Sequence, residues 1–264
     1  MSLRKTQWSE LTTAEFAALD PERTIAILPV AAIEQHGPHL AVSTDAVIAE
    51  GMLREVLARL PDDLAVLVLP LQAIGKSNEH LRSPGTLTLS AETALRTWVE
   101  IGEGVHRAGL RKLVIVTSHG GNLDLLAVAA RELRVRLGML VVHTSFRRLG
   151  LPKGLFDEKE AAHGIHAGDI ETSLMLHFRP DLVRLDRAID FVPSSVGMEN
   201  EFALLRPTGP AAFAWIAQDI HPAGGAGDAT RATADKGRAT AEYQALRFIE
   251  LLRDVTRFSL ERLA

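Results

Sequence analysis

The run Lys112-Leu113-Val114-Ile115-Val116-Thr117-Ser118-His119-Gly120-Gly121-Asn122 decides the fold. Its first half is continuously apolar and β-branched instead of alternating, which is how a strand buried on both faces of a parallel sheet reads. The strand ends in His119, and two glycines then permit a sharp turn. Asn122 is placed to cap a helix, Asn122–Leu137, that stops at Gly138. Strand, tight turn and helix in succession form half of a βαβ unit.

Working outward, three more runs have the same character: Thr24–Val30, Leu64–Pro70 and Met139–Ser145. Helical spacing fills the gaps, over Asp45–Leu60 after Thr44 and over Ala91–Gly109 after Ser90, a candidate N-cap with Glu92 in the first turn. This alternation predicts a three-layer α/β/α fold with a mainly parallel central sheet. Beyond residue 145 the pattern loosens. A loop at Gly150–Gly164 leads to a helical stretch, His166–Phe178, stopped by Pro180. Residues 190–228, rich in proline and glycine, read as irregular with short strands. Ala229–Leu263 reads as a long amphipathic helix, with Tyr243, Leu246, Ile249 and Leu252 on one face, extended by Phe248, Leu251 and Val255.

The chain has 264 residues, 47% of them hydrophobic, enough for one full core, so a single domain spanning 1–264 is expected. A net charge of −4 from 33 acids and 29 bases lacks the basic face that nucleic acid requires. No apolar run approaches a membrane span, and the start, MSLRKTQWSELTTAEF, has no apolar signal core, so a cytoplasmic protein is expected. With no cysteine, thiolate chemistry is excluded and any metal must sit on His, Asp and Glu.

Four pieces of sequence bring such groups to one sheet edge. In Glu34-Gln35-His36-Gly37-Pro38-His39, residues 34 and 36 share a side of an extended chain, and Asp45 can return to the same point from the next helix. Two carboxylates and an imidazole suit Zn²⁺, Mn²⁺ or Fe²⁺. The plainer reading is a hydrogen-bonded loop with Asp45 as a helix cap. His119 sits at a strand tip, where the alternative is a solvent-facing side chain. In His163-Gly164-Ile165-His166-Ala167-Gly168-Asp169-Ile170-Glu171, both acids suit a helix start, but Glu171 precedes Leu174-Met175-Leu176 and enters a region expected to be buried, where it needs a partner. The polar stretch Gly75-Lys76-Ser77-Asn78-Glu79-His80 reads as a loop covering a site. Gly224-Gly225-Ala226-Gly227 follows no strand and lacks dinucleotide-loop spacing, and no G-x-S-x-G elbow is present.

These blocks resemble the creatininase (creatinine amidohydrolase) family. The resemblance runs from Leu28-Pro29-Val30 through Glu34-Gln35-His36-Gly37-Pro38-His39-Leu40 to Asp45. It continues in Gly75-x-Ser77-x-Glu79-His80, Pro84-Gly85-Thr86, Ser118-His119-Gly120-Gly121-Asn122, His166-Ala167-Gly168 with Glu171-Thr172-Ser173, and the late Gly227-Asp228 and Gly237, over about residues 20–245. It implies a creatininase-like fold, two divalent ions (Zn, Mn or Fe) and hydrolysis of a C–N bond in an amide, cyclic amide or formamide by a water bridging the metals. By resemblance, Glu34 and His119 hold one metal, His36 the other, and Asp45 bridges, while His166 is the catalytic histidine. Ser77, His80, Gly121 and His163 are the expected substrate contacts, and a homo-oligomer, a hexamer in the family, the expected assembly.

Two departures bear on ligands and substrate. Creatininase completes its second metal with a glutamate where this chain has Gly121, so Glu171 is the replacement candidate, as ligand and catalytic group. Creatininase also places a Trp-Asp pair where this chain has Ala162-His163, which points away from creatinine. The Gly-Gly-Asn form is more similar to relatives acting as deformylases, peptidases or ring-opening hydrolases. Two other classes remain open on the sequence: a two-His-one-carboxylate iron oxidase or oxygenase, and a non-catalytic metal-binding protein.

Overall fold

The computed structural model describes residues 5–263. Residues 1–4, the head of the segment read as signal-free, and residue 264 lie outside the described residues. In chain order the elements are α1 (Thr13–Ala17), β1 (Ile25–Val30), α2 (Thr44–Ala58), β2 (Val66–Val68), α3 (Ala91–Arg107), β3 (Lys112–Thr117), α4 (Leu123–Leu137) and β4 (Leu140–Ser145). There follow α5 (Glu158–His163), α6 (Asp169–Phe178), β5 (Asp190–Phe191), α7 (Ser194–Glu201), α8 (Ala217–Ile220), β6 (Gly227–Asp228) and α9 (Ala234–Arg257).

The first four strands form a parallel sheet in the order β2-β1-β3-β4. Alternate residues of each strand point to opposite faces; β1, β2 and β3 are buried on both, and the edge strand β4 is half-buried up to its last two residues. Ile25, Ile27, Val114 and Val116 face α2, α6 and α9, whereas Ala26, Leu28, Leu113 and Ile115 face α3 and α4. This double burial is why the strands lack an alternating pattern, and it makes the architecture three-layered, as expected. β5 and β6 pair separately and antiparallel.

Helix boundaries follow local chemistry. Ser90 caps α3 by accepting from Thr93 N–H, and Gly138 ends α4 at φ 68°, left-handed backbone that glycine adopts without strain. Thr233 caps α9 through Lys236 N–H, five residues later than expected, because 229–231 form a separate short turn. α6 and α9 approach closely: a Cβ on Gly237 would lie 1.9 Å from Ser173 O. The Lys236–Asp169 ion pair closes the same contact.

Several expectations need correction. Asn122 does not cap α4; its side chain accepts from Lys76 N and donates to Ala31 O and Thr117 Oγ1, so it ties three loops together. Leu246 is exposed; the buried face of α9 is Ala241, Ala245, Phe248, Ile249, Leu252 and Val255. The segment read as a loop at 150–164 contains α5, capped by the Asp157 side chain. α6 starts at Asp169, not His166, because His166 pairs with Ala226 as an extended bridge and Ala167 adopts φ 56°.

Candidate active site

The carboxyl edge of the parallel sheet gathers the groups singled out in the sequence. Glu34 and His36 leave the end of β1, and Gly37 at φ 64° turns the chain back toward α2. Asp45 lies in the first turn of α2, Glu171 in the first turn of α6, and His119 two residues past β3. Ser118 Oγ donates to Asp45 O at 2.8 Å, fixing the β3 tip against α2. Glu34, His36, Asp45, His80, His119 and His166 are all buried. Glu171 precedes the buried Leu174 and Met175 with its own side chain 22% exposed.

Distances sort these atoms into overlapping triplets of metal-binding size, among them Glu34/Asp45/His119 and His36/Asp45/Glu171. Asp45 divides its two oxygens between them. Oδ2 is 3.6 Å from His119 Nδ1, which is itself 3.2 Å from Glu34 Oε2. Oδ1 is 3.8 Å from His36 Nε2, which is 3.8 Å from Glu171 Oε2. Ligand atoms bound to one ion at ~2.0–2.2 Å stand roughly 3–4 Å apart, so both triplets fit. Glu34 Oε1, His36 Nε2 and Asp45 Oδ2 are buried without a hydrogen-bond partner. Such orphans are costly, and a cation is the natural partner for this set. Glu34/His36/His166 and Glu34/Glu79/His80 are two further triplets of similar size.

The electrostatics agree. Burial depresses His36, His80 and His166 to about 4, leaving them neutral and able to ligate or to accept a proton. Burial, then the Glu34 charge, pushes the Asp45 carboxyl well above its usual range, and burial raises Glu171. Burial would raise Glu34 too, but His119, His80 and His166 together hold it below the usual carboxylate value. Burial would lower His119, yet Glu34, Glu79 and Asp45 raise it well above its usual value. The same carboxylates that raise His119 would favour a cation between them.

Neighbouring groups set the tautomers. His166 Nε2 is 2.7 Å from Gln35 O, an acceptor, so Nε2 carries the proton and Nδ1 faces Glu34 Oε1, 3.6 Å away, as a free lone pair. The Gln35 amide donates to His80 Nδ1 at 2.8 Å, turning His80 Nε2–H toward Glu34 Oε1 at 3.3 Å. Glu171 Oε2 accepts from Ala167 N–H at 2.6 Å, and the left-handed backbone at Ala167 brings that N–H round.

An open cavity of about 510 Å³ lies over this cluster. His80 and Gly121 line it, as do Glu34, Asp45, His119, His166 and Glu171. Ser77 and His163, expected to contact substrate, do not. Ser77 Oγ donates to Glu34 Oε2 and so orients a carboxylate. His163 turns away to Ser195 Oγ at 2.9 Å and Glu199 Oε1 at 3.3 Å, joining α5 to α7. The residue reading missed Glu79, whose Oε1 is 3.3 Å from His119 Nε2, and Gln35, which orders two histidines. The signal for Gln35 was its place between Glu34 and His36; for Glu79, its place beside His80.

A parallel α/β sheet whose carboxyl edge collects buried imidazoles and carboxylates into shared triplets has the build of a metal-dependent hydrolase. The family described as creatininase, creatinine amidohydrolase, matches residues 9–252. The mycofactocin precursor peptide peptidase of Mycobacterium ulcerans is 33% identical over 238 residues, 87% of this chain and 84% of that one. The creatinine amidohydrolase of Pseudomonas putida is 31% identical over 203 residues, 70% of this chain and 76% of that one. A solved structure described as "Creatininase Mn" superposes with a TM-score of 0.75 at 26% identity, covering 97% of this chain and all of its own. The chain therefore belongs to the creatininase family and is a hydrolase of that family.

Proposed function

We propose that the protein is a two-metal hydrolase of a C–N bond in a small amide or peptide-like molecule. The division of the Asp45 oxygens between two triplets carries this reading. Glu34, Asp45 and His119 would hold one ion, and His36, Asp45 and Glu171 the other. Metal held there would supply an activated water near neutral pH and polarise a carbonyl oxygen. His166, with Nε2–H anchored on Gln35 O and Nδ1 free, takes a proton and delivers it to the leaving nitrogen. Ser77 and the Gln35–His80 pair keep Glu34 in place. Gly121 leaves the cavity floor low beside His119.

Two observations favour a substrate larger than creatinine. The cavity, about 510 Å³, lies in the range of pockets for drug-sized ligands. Ala162-His163 stands where creatininase has its Trp-Asp pair, and His163 faces away from the cavity. The similarity to a precursor peptide peptidase supports a peptide-like amide. Elemental analysis after mild purification and supplementation with zinc or manganese is expected to find up to two ions per chain, with negligible creatinine turnover by the loaded protein. Only trace metal under those conditions would overturn the metal reading, and efficient creatinine hydrolysis would overturn the substrate reading.

A further inference from the structure

β3 and β4 run parallel with Thr117 opposite Ser145, so the residues that follow each strand leave the sheet side by side. After β3 comes His119; after β4 come Phe146, Arg147 and Arg148. Both arginines line the same cavity as the candidate metal ligands. Among the described residues neither forms an ion pair. One Arg147 nitrogen donates to Ala161 O at 2.9 Å, and the Arg148 side chain makes no hydrogen bond. Arg147 lies close enough to Glu160 and Glu171 to feel their charges. The cavity thus has acids and imidazoles at one end and two guanidinium groups at the wall beside them. Phe146, Ile165, Leu123 and Trp215 provide apolar surface in the same cavity.

We propose that Arg147 and Arg148 form an anion subsite that binds a carboxylate on the amide being hydrolysed. The proposal rests on the hydrolase reading above and names its substrate class: an amide whose amine half carries a free carboxylate and an apolar side chain. A planar guanidinium matches a carboxylate in bidentate geometry, and Arg147 still has donors to spend after its bond to Ala161. A singly charged group suits this cavity better than a phosphate, because Glu79, Asp124 and Glu171 line it as well and repel a double charge.

The test is calorimetric titration of the metal-loaded protein with two matched probes, N-acetyl-leucine and N-acetyl-leucinamide, on the same preparations whose metal content is measured. The wild type is expected to favour the carboxylate by about tenfold or more, the scale of a charge-assisted hydrogen bond. In Arg148→Gln, and further in Arg147→Gln/Arg148→Gln, that preference falls toward parity with metal content unchanged, and Arg147→Lys restores only part of it. A preference that persists in the double variant would place the carboxylate on the metals and overturn the subsite. So would equal binding of the two probes, binding of neither, or displacement by inorganic phosphate below the concentration at which N-acetyl-leucine acts. Loss of metal from the wild type would instead count against the hydrolase reading itself, so the two failures are separable.

Discussion

The two helical layers differ in what they give the site. The layer of α2, α6 and α9 supplies Asp45 and Glu171, each from the first turn of its helix. There the positive end of the macrodipole favours a carboxylate. The layer of α3 and α4 buries Trp98, Leu126 and Leu133 against the opposite sheet face and contributes no member of the candidate triplets. One layer carries chemistry, with Asp45 buried and its orphaned oxygen set among the candidate ligands. The other is core alone. The first should therefore fail in function before fold, and the second in fold before function.

The largest effect is expected from Asp45→Ala. Both ions should be lost, because both triplets share this carboxylate. Activity should fall by more than about a hundredfold, beyond what loss of a merely supporting residue costs. Glu171→Gln should shed mainly the ion shared with His36. The metal-free Asp45→Ala chain should be as stable as metal-free wild type or more so, since an unsatisfied buried carboxyl is removed. Metal titration, an amide-hydrolysis assay and thermal unfolding check these outcomes. A variant that kept both ions would reduce Asp45 to a helix-start acid and erase the contrast between the layers.

Trp98→Ala makes the reverse case. The side chain is fully buried between α3 and the sheet, so its removal should cost about 3–5 kcal/mol of stability. Metal content per folded chain should stay that of wild type. Denaturant unfolding beside elemental analysis separates the two, and a coupled loss of metal would show that the core layer also positions the site.

The sheet and its flanking helices were legible because their strands are buried on both faces and read as unbroken apolar runs, as at Val114-Ile115-Val116. The candidate ligands were legible because Glu34, His36 and His119 follow strand ends directly. Local spacing misled where a long-range partner decided the outcome. Asn122 sits at a capping position, but Lys76, Ala31 and Thr117 claim its side chain. His163 lies near His166 in sequence, but Ser195 draws it to α7. The entry to α6 starts late because residues 166 and 226 pair as extended chain, sixty residues apart, a contact no window of sequence contains.

The smallest expected effect, and the one that sharpens the comparison most, concerns Glu79, which belongs to neither layer. It sits in the turn Asn78–His80, with Oε1 3.3 Å from His119 Nε2. His119 Nε2 also lies 3.0 Å from Lys76 O, so that nitrogen carries the proton and Nδ1 is left to face Glu34 and Asp45. A carboxylate on the far side of a ligating imidazole holds its tautomer and raises its basicity. Glu79 can do so because residue 121 is glycine: a Cβ there would stand 2.3 Å from Glu79 Oε1. The position that resemblance assigns to a ligating glutamate in creatininase is thus kept clear here for a carboxylate from another loop. Glu79→Gln should weaken the ion held with Glu34 and His119 by about 10–100-fold and leave the ion at His36 in place. Gly121→Ala, whose Cβ would stand 2.4 Å from His119 Nε2 as well, displaces the imidazole itself and should weaken the same ion at least as much. Competition with a metal chelator measures both, and unchanged affinity in Glu79→Gln would assign the orientation of His119 to the Lys76 carbonyl alone.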